Sequence, residues 1–313
     1  MARYRSAPPI GGAFRPVLTD GGLETTLIFG DGIDLPHFAA CELLRSEAGR
    51  IRLASYYDGF ASLAAEAGAG FLLDTATWRA NPDWTSLLGY SRAEFEEVNA
   101  AAIALAVGVR DRHDSAESPV LIAGVIGPRG DGYRADERQG IEQAREYSAA
   151  QTRVFAAGEV DLIEALTLNY PEEAAGVALA ARDAGMPILV SFTVETDGRL
   201  ASGDSLREGI EFVDAATGGY PLGYLVNCSH PEHLPEDLIE GEAWAARVVG
   251  CRPNASRRSH AELDEAPDLD SGDPDELAAE LAQLRAVLPS LTVLGGCCGT
   301  DSRHIAAIAR ACL

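Results

Sequence analysis

The chain has 313 residues, 25 of them basic and 48 acidic, for a formal charge of −23; its field repels polyanions and acidic headgroups, which argues against nucleic acid and membrane surfaces as partners. With 47% hydrophobic residues, 7% aromatic residues and 32 glycines, it is a globular chain able to bury a large core, and fibrous and disordered classes are excluded. Residues 1–14 lack the continuous apolar run of a secretory signal, and no segment reaches the roughly 20 apolar residues of a membrane span, so a cytoplasmic protein is expected.

Along the chain, short β-rich runs alternate with longer amphipathic stretches. Strands are expected at 17–20, 70–74, 120–127, 160–167, 187–193, 222–227, 247–250 and 291–296. Helices are expected at 50–67, 93–111, 141–157, 171–184, 206–216, 235–245, 274–288 and 303–312. Several strands are apolar almost throughout, as parallel strands covered on both faces are. Ser91 and Glu94 form a capping-box pattern, Pro171 and Pro274 sit where a missing amide costs nothing, and Gly185 marks a helix stop. Eight βα units in a single domain, 1–313, predict the α/β class and a closed (β/α)₈ TIM barrel, with its chemistry at the C-terminal ends of the strands. An open doubly wound sheet is the alternative. Residues 255–276 carry eight acids and few large apolar side chains; they read as a solvated acidic loop insertion after the seventh strand, with a cation site or a mobile lid as the alternatives.

The cysteines carry the chemistry. Cys228 ends the sixth strand and Cys297 and Cys298 follow the eighth, so barrel closure brings three thiols to one rim. Three thiolates suit a soft ion such as Zn²⁺ and leave one tetrahedral position open, the mark of a catalytic rather than a structural site. Gly295, Gly296 and Gly299 give the backbone freedom to turn around the adjacent pair. The competing reading is small buried side chains or a vicinal disulfide. Cys41, Cys251 and Cys312 read as lone buried residues, and His304 as structural. His230 and His233 read as solvated or capping groups, or as a fourth ligand in a non-catalytic zinc-binding protein. Gly130–Ala135 resembles a dinucleotide fingerprint only loosely, since it follows the third strand and lacks the third glycine.

Asp20-Gly21-Gly22-Leu23-Glu24-Thr25, Asn227-Cys228 and Gly295-Gly296-Cys297-Cys298-Gly299-Thr300 with His304-Ile305 together resemble the homocysteine S-methyltransferase family over nearly the whole chain. The resemblance implies a (β/α)₈ barrel in which Cys228, Cys297 and Cys298 bind zinc and zinc binds the homocysteine sulfur. It further implies that Glu164 holds the homocysteine ammonium, that Asp20, Gly21 and Gly22 receive the amino-acid end, and that Thr75 and Asn227 contact substrate. At Glu164 the family usually reads Glu-Thr, whereas Ala165 follows here, and the residues after Asn254 and Ala255 depart from the family's Pro-Asn segment. Trp78 either faces a sulfonium or quaternary ammonium donor through cation–π attraction or packs in the core.

A free thiol ionises near ~8.5, whereas a metal-bound one is a thiolate outright. The expected reaction is therefore in-line transfer of a methyl group to the homocysteine thiolate from a small donor, with S-methylmethionine or S-adenosylmethionine favoured. Betaine, a corrinoid partner protein or another thiol or selenol acceptor are the nearer alternatives. A zinc hydrolase is the more distant one. The sequence does not specify the oligomeric state.

Overall fold

Side-chain alternation along the strands decides the architecture. In the computed structural model, which describes residues 2–11, 15–239 and 242–313, the strands are β1 (Val17–Leu18), β2 (Gly70–Asp74), β3 (Val120–Ile126), β4 (Leu162–Leu168), β5 (Ile188–Phe192), β6 (Gly223–Asn227), β7 (Val248–Arg252) and β8 (Val293–Leu294). Each contributes an inward apolar residue, among them Val17, Leu72, Leu121, Leu162, Leu189, Leu225, Val249 and Val293, to one cluster that Tyr4 and Ile10 cover. Their neighbours, such as Leu18, Phe71, Leu73 and Ile122, face the surrounding helices. The strands pair in parallel in sequence order, and β8 closes on β1. This is the expected TIM barrel, and closure removes the open-sheet alternative.

Two register shifts shape the rim. Between β6 and β7, Tyr224 pairs with Val248 but Leu225 pairs with Gly250. That extra residue reverses the alternation in β7, so that Arg252 falls opposite the inward Asn227 and Cys251 packs outward. A second shift, between Ala165 and Leu168 of β4, accompanies a left-handed backbone at Thr167 (φ 62°). β1 and β8 are shorter than expected because the chain beyond them turns into the rim, although Thr19 N still donates to Leu294 O (2.9 Å) and Gly296 N to Asp20 O (3.1 Å).

Seven of the expected helices form, as Glu47–Glu66, Arg92–His113, Ile141–Ala157, Pro171–Asp183, Leu206–Thr217, Pro274–Val287 and Ser302–Cys312. The Ser91–Glu94 capping box is present in both directions, and Gly185 takes φ 66° after its helix. The helix expected at 235–245 is not continuous. Glu236–Ile239 forms one helical turn, residues 240 and 241 lie outside the described residues, and Ala243–Arg247 forms a 3₁₀ helix that starts after a non-helical Glu242 (φ −59°, ψ 160°). An unexpected helix, Pro82–Leu87, starts from an Asn81 cap with proline at its first position.

Candidate active site

The sulfur half of the rim comes from β6 and β8. The Sγ atoms of Cys228, Cys297 and Cys298 all lie within 4.8 Å of one another. Cys228 and Cys297 are joined as a disulfide with Cα atoms 5.3 Å apart, so the bond links the two strand ends and not the adjacent pair. The backbone fixes this arrangement. Cys228 has φ 55°, an uncommon conformation for a non-glycine residue that marks functional sites. Its amide donates to Arg252 O (3.1 Å), and its carbonyl accepts from Asn254 Nδ2 (2.9 Å) and bonds His260 Nε2 (2.7 Å). Cys297 N donates to Pro253 O (2.8 Å), and Gly299, at φ 80°, donates to Thr25 Oγ1 (3.1 Å).

Asn227 orients the sulfurs from beneath. Its amide NH₂ donates to Cys228 Sγ (3.3 Å) and Thr167 Oγ1 (2.9 Å), while its oxygen accepts from Thr167 N (2.9 Å) and Ser191 Oγ (2.6 Å). Metal–sulfur bonds of ~2.3 Å in a tetrahedron put sulfurs about 3.8 Å apart, within the span seen here. Reduced to thiolates, the three cysteines fit one soft ion with a position left open. Among the described residues they are the one set of three or more possible ligands that comes together, so His230 and His233 do not join it. His230 instead caps the Glu232 amide through Nδ1 (3.3 Å).

The other half is a buried ion cluster. Arg252 donates to Asp20 Oδ1 (2.7 Å), Asp74 Oδ2 (2.6 Å), Glu164 Oε1 (3.1 Å) and the Gly296 carbonyl (3.4 Å). Asp74 Oδ1 and Glu164 Oε2 are buried without a partner. Burial pushes the Asp20 carboxyl up to about 8, against the pull of Arg252. Glu164 rises well above the carboxylate range through burial and the neighbouring Asp74. Burial beside other acids thus favours the protonated forms of Asp20 and Glu164 despite the nearby cation.

A cavity of about 70 Å³ is lined by both groups, by Asp20, Asp74 and Arg252 and by Cys228, Cys297 and Cys298. Phe38, Tyr57, Trp78 and Tyr133 add aromatic surface; Phe38 meets Trp78 edge-on with centroids 6.5 Å apart. Tyr133 lies beside Cys298, and its ring stacks on His260 with centroids 4.0 Å apart. Glu24 also lines the cavity, and burial pushes its carboxyl up to about 7.

The sequence-derived residues sort clearly. Cys228, Cys297, Cys298, Asp20, Gly21, Gly22, Thr75 and Asn227 all line the cavity. Glu164, with no exposed surface, is not among the residues lining the cavity; it accepts from Arg252, which is. The two glycines have a packing reason: a Cβ on Gly21 would sit 2.6 Å from Thr300 O, and one on Gly22 2.7 Å from Cys297 O. The Gly22 amide is engaged with Thr300 O (3.0 Å). Thr75 Oγ1 is tied to Thr77 Oγ1 (2.7 Å) and Val125 N (3.0 Å), and Asn254 to the Cys228 carbonyl.

Arg252, Asp74, Glu24, Tyr133 and His260 were not singled out from the sequence. For Asp74 and Arg252 the signal was a charge closing an apolar strand, the same signal that marks Glu164. The acidic segment, 255–276, carries its acids at the surface and holds the short helix His260–Asp264; it is also pinned to the rim by His260, by Ser256 Oγ donating to Asp270 (2.7 Å) and by a bond between His304 Nε2 and Ser271 O (2.8 Å).

The family model for homocysteine S-methyltransferase matches residues 17–312. Homocysteine S-methyltransferase 4 of Zea mays is 28% identical over 269 residues, covering 79% of this chain and 76% of that protein. The oxidised form of the homocysteine methyltransferase MmuM from Escherichia coli superposes with a TM-score of 0.76 at 21% identity, covering 94% of this chain and 95% of that one. The metallated form of MmuM gives 0.73 at 20%, covering 95% and 96%.

Proposed function

Since the chain belongs to the homocysteine S-methyltransferase family and is a methyltransferase, we propose that its three-thiol rim binds zinc and that the enzyme methylates homocysteine to methionine from a small sulfonium donor. The observation that carries this reading is that one cavity is lined both by Cys228, Cys297 and Cys298 and by the charged Asp20–Asp74–Arg252 cluster. When bound, zinc would supply the Lewis acidity that keeps the acceptor's sulfur a thiolate at neutral pH.

The rest is the work of side chains. Asn227 donates towards Cys228 and fixes the direction of its lone pairs. The acceptor's amino-acid end lies against the Asp20–Arg252 wall, which sets the depth of its sulfur. Its thiol proton passes to a wall carboxylate, and Glu24, pushed up to about 7, is the group matched to accept it near neutrality. The aromatic faces of Trp78, Phe38 and Tyr133 accept a cationic donor without hydrating it, so S-methylmethionine or S-adenosylmethionine is favoured over a neutral donor. Transfer needs the donor methyl within ~3–3.5 Å of the sulfur, in line.

Betaine shares the cationic feature and is the second donor class to test. The decisive experiment incubates zinc-loaded, reduced enzyme with homocysteine and, separately, S-methylmethionine, S-adenosylmethionine and betaine, scoring methionine. Methionine from a sulfonium donor is expected. No methionine with any donor, from protein that retains stoichiometric zinc, overturns the reading.

A further inference from the structure

An amino-acid acceptor presents two charges, and the cavity must hold at least one of them. Of the acids around the cavity, Asp20, Asp74 and Glu164 are each already hydrogen-bonded to a cation that never deprotonates, and burial pushes the carboxyl of Glu24, which also lines the cavity, up to about 7. Glu164 is absent from the cavity wall. Burial also lifts Asp20 and Glu164 towards their neutral forms, which removes the surplus negative charge an incoming ammonium would seek. Arg252 thus takes the place among Asp20, Asp74 and Glu164 that an ammonium would occupy.

The opposite charge has a partner ready. Arg252 lines the cavity, and of its five N–H groups four are used, by Asp20, Asp74, Glu164 and the Gly296 carbonyl. One donor remains on a desolvated guanidinium, where a hydrogen bond to a carboxylate is charge-assisted. Placement follows from the strand register, since the extra residue in β7 puts Arg252, and not Cys251, across from Asn227. The side chain therefore sits on the same interior level as the residue that touches the sulfurs.

We propose that Arg252 determines acceptor specificity: the site selects a thiol that carries a carboxylate, held by this guanidinium, and has little need of an α-ammonium. The proposal rests on the methyl-transfer reading of the cavity and names the feature of the acceptor that the cavity reads.

The test compares three thiols of similar length on the reduced wild-type enzyme: homocysteine, 4-mercaptobutyrate, which lacks the ammonium, and 3-mercaptopropylamine, which lacks the carboxylate. Binding is followed by the sulfur-to-metal bands of the cobalt-substituted protein, and transfer by methyl-thioether formation with a sulfonium donor. 4-Mercaptobutyrate should bind within about tenfold of homocysteine, and 3-mercaptopropylamine about 10- to 100-fold more weakly than homocysteine, the range of one charge-assisted bond. Arg252→Gln should level the acid and the amine, while Arg252→Lys keeps the acid preference in part. Because three buried acids without their cation threaten folding, the wild-type series decides by itself. The amine binding as tightly as homocysteine, the acid failing to perturb the bands, or no thiol binding at all overturns the assignment. Bands in the expected order without any methylated product leave the assignment standing and overturn the methyl-transfer reading.

Discussion

Both ends of the barrel bury an arginine among acids, and the two clusters are built for different ends. At the base, Arg110 pairs with Glu159 (2.7 Å), and the nearby Asp161 spends both oxygens on backbone, accepting from Tyr4 N (2.7 Å) and Ile122 N (2.9 Å). Arg5 from the same N-terminal segment donates to the carbonyls of Val160 and Gly158. Every one of these bonds ties a chain segment to the barrel. At the rim, Arg252 meets Asp74 on β2, Glu164 on β4 and Asp20 just beyond β1; among the described residues no backbone amide donates to those carboxylates, and Asp74 Oδ1 and Glu164 Oε2 keep unspent acceptor capacity. A buried polar cluster that is satisfied stabilises a fold. One left incomplete, and set against a cavity, points to a ligand.

The most damaging way to break the comparison is at the sulfurs. Cys298→Ser should lose zinc and methyl transfer together, with turnover down at least about a thousandfold while the circular dichroism of the barrel is kept; zinc analysis checks it, and normal metal content with normal turnover would remove Cys298 from the site. The mirror experiment at the base is Asp161→Ala. Removing one member of a buried charged cluster costs about 3–5 kcal/mol, so denaturant midpoints should fall steeply while kcat/KM of the folded fraction, measured at low temperature, stays at the wild-type value.

Acidity sharpens the contrast. Glu24 has its carboxyl raised from 4.5 to about 7 in the fold, chiefly by burial. Between those values the folded state binds more protons than the unfolded one, so this group's contribution to stability is full below about 4.5 and is lost as pH rises through about 7. His230, lowered to about 4 by burial, acts in the opposite sense between about 4 and 6.5, so the informative quantity is a difference. Glu24→Gln should gain on wild type in melting temperature as pH climbs from 5 to 8, in metal-free protein. A pH-independent difference would show that Glu24 ionises freely in the fold.

The sequence carried the layout because barrel positions follow period and punctuation. β2 and the helix Ile141–Ala157 fall where the pattern puts them, and the two cysteine-bearing strand ends meet because closure of eight βα units leaves them no alternative. Arg252 was illegible for a physical reason. Counting alternate residues from the inward Val249 points Cys251 into the barrel, and only the pairing of Leu225 with Gly250 reverses that; a bulge is decided by two strands together. Tyr133 and His260 escaped because they lie on rim loops after β3 and β7, where side-chain direction follows no period. In the acidic segment, residues 255–276, charge hid a histidine that binds inward.

That histidine gives the smallest and most local test of the rim. His260 joins three loops: its ring nitrogens bond Glu195 (2.9 Å) and the Cys228 carbonyl (2.7 Å), and its face stacks on Tyr133, which lies beside Cys298. If these contacts order the segment over the sulfurs, His260→Ala should loosen it without touching the metal ligands. The readout is built into the chain, because Arg257 and Arg258 lie three and two residues before His260 and offer trypsin a site. Cleavage there should quicken severalfold in His260→Ala, with zinc content unchanged and global stability down by about 1–3 kcal/mol, the scale of one hydrogen bond to a carbonyl and one to a half-exposed carboxylate. Unchanged cleavage would mean that the ion pairs of Arg257 with Glu232, Glu276 and Glu280 hold the segment by themselves, and that the imidazole serves only to fix the left-handed turn at Cys228.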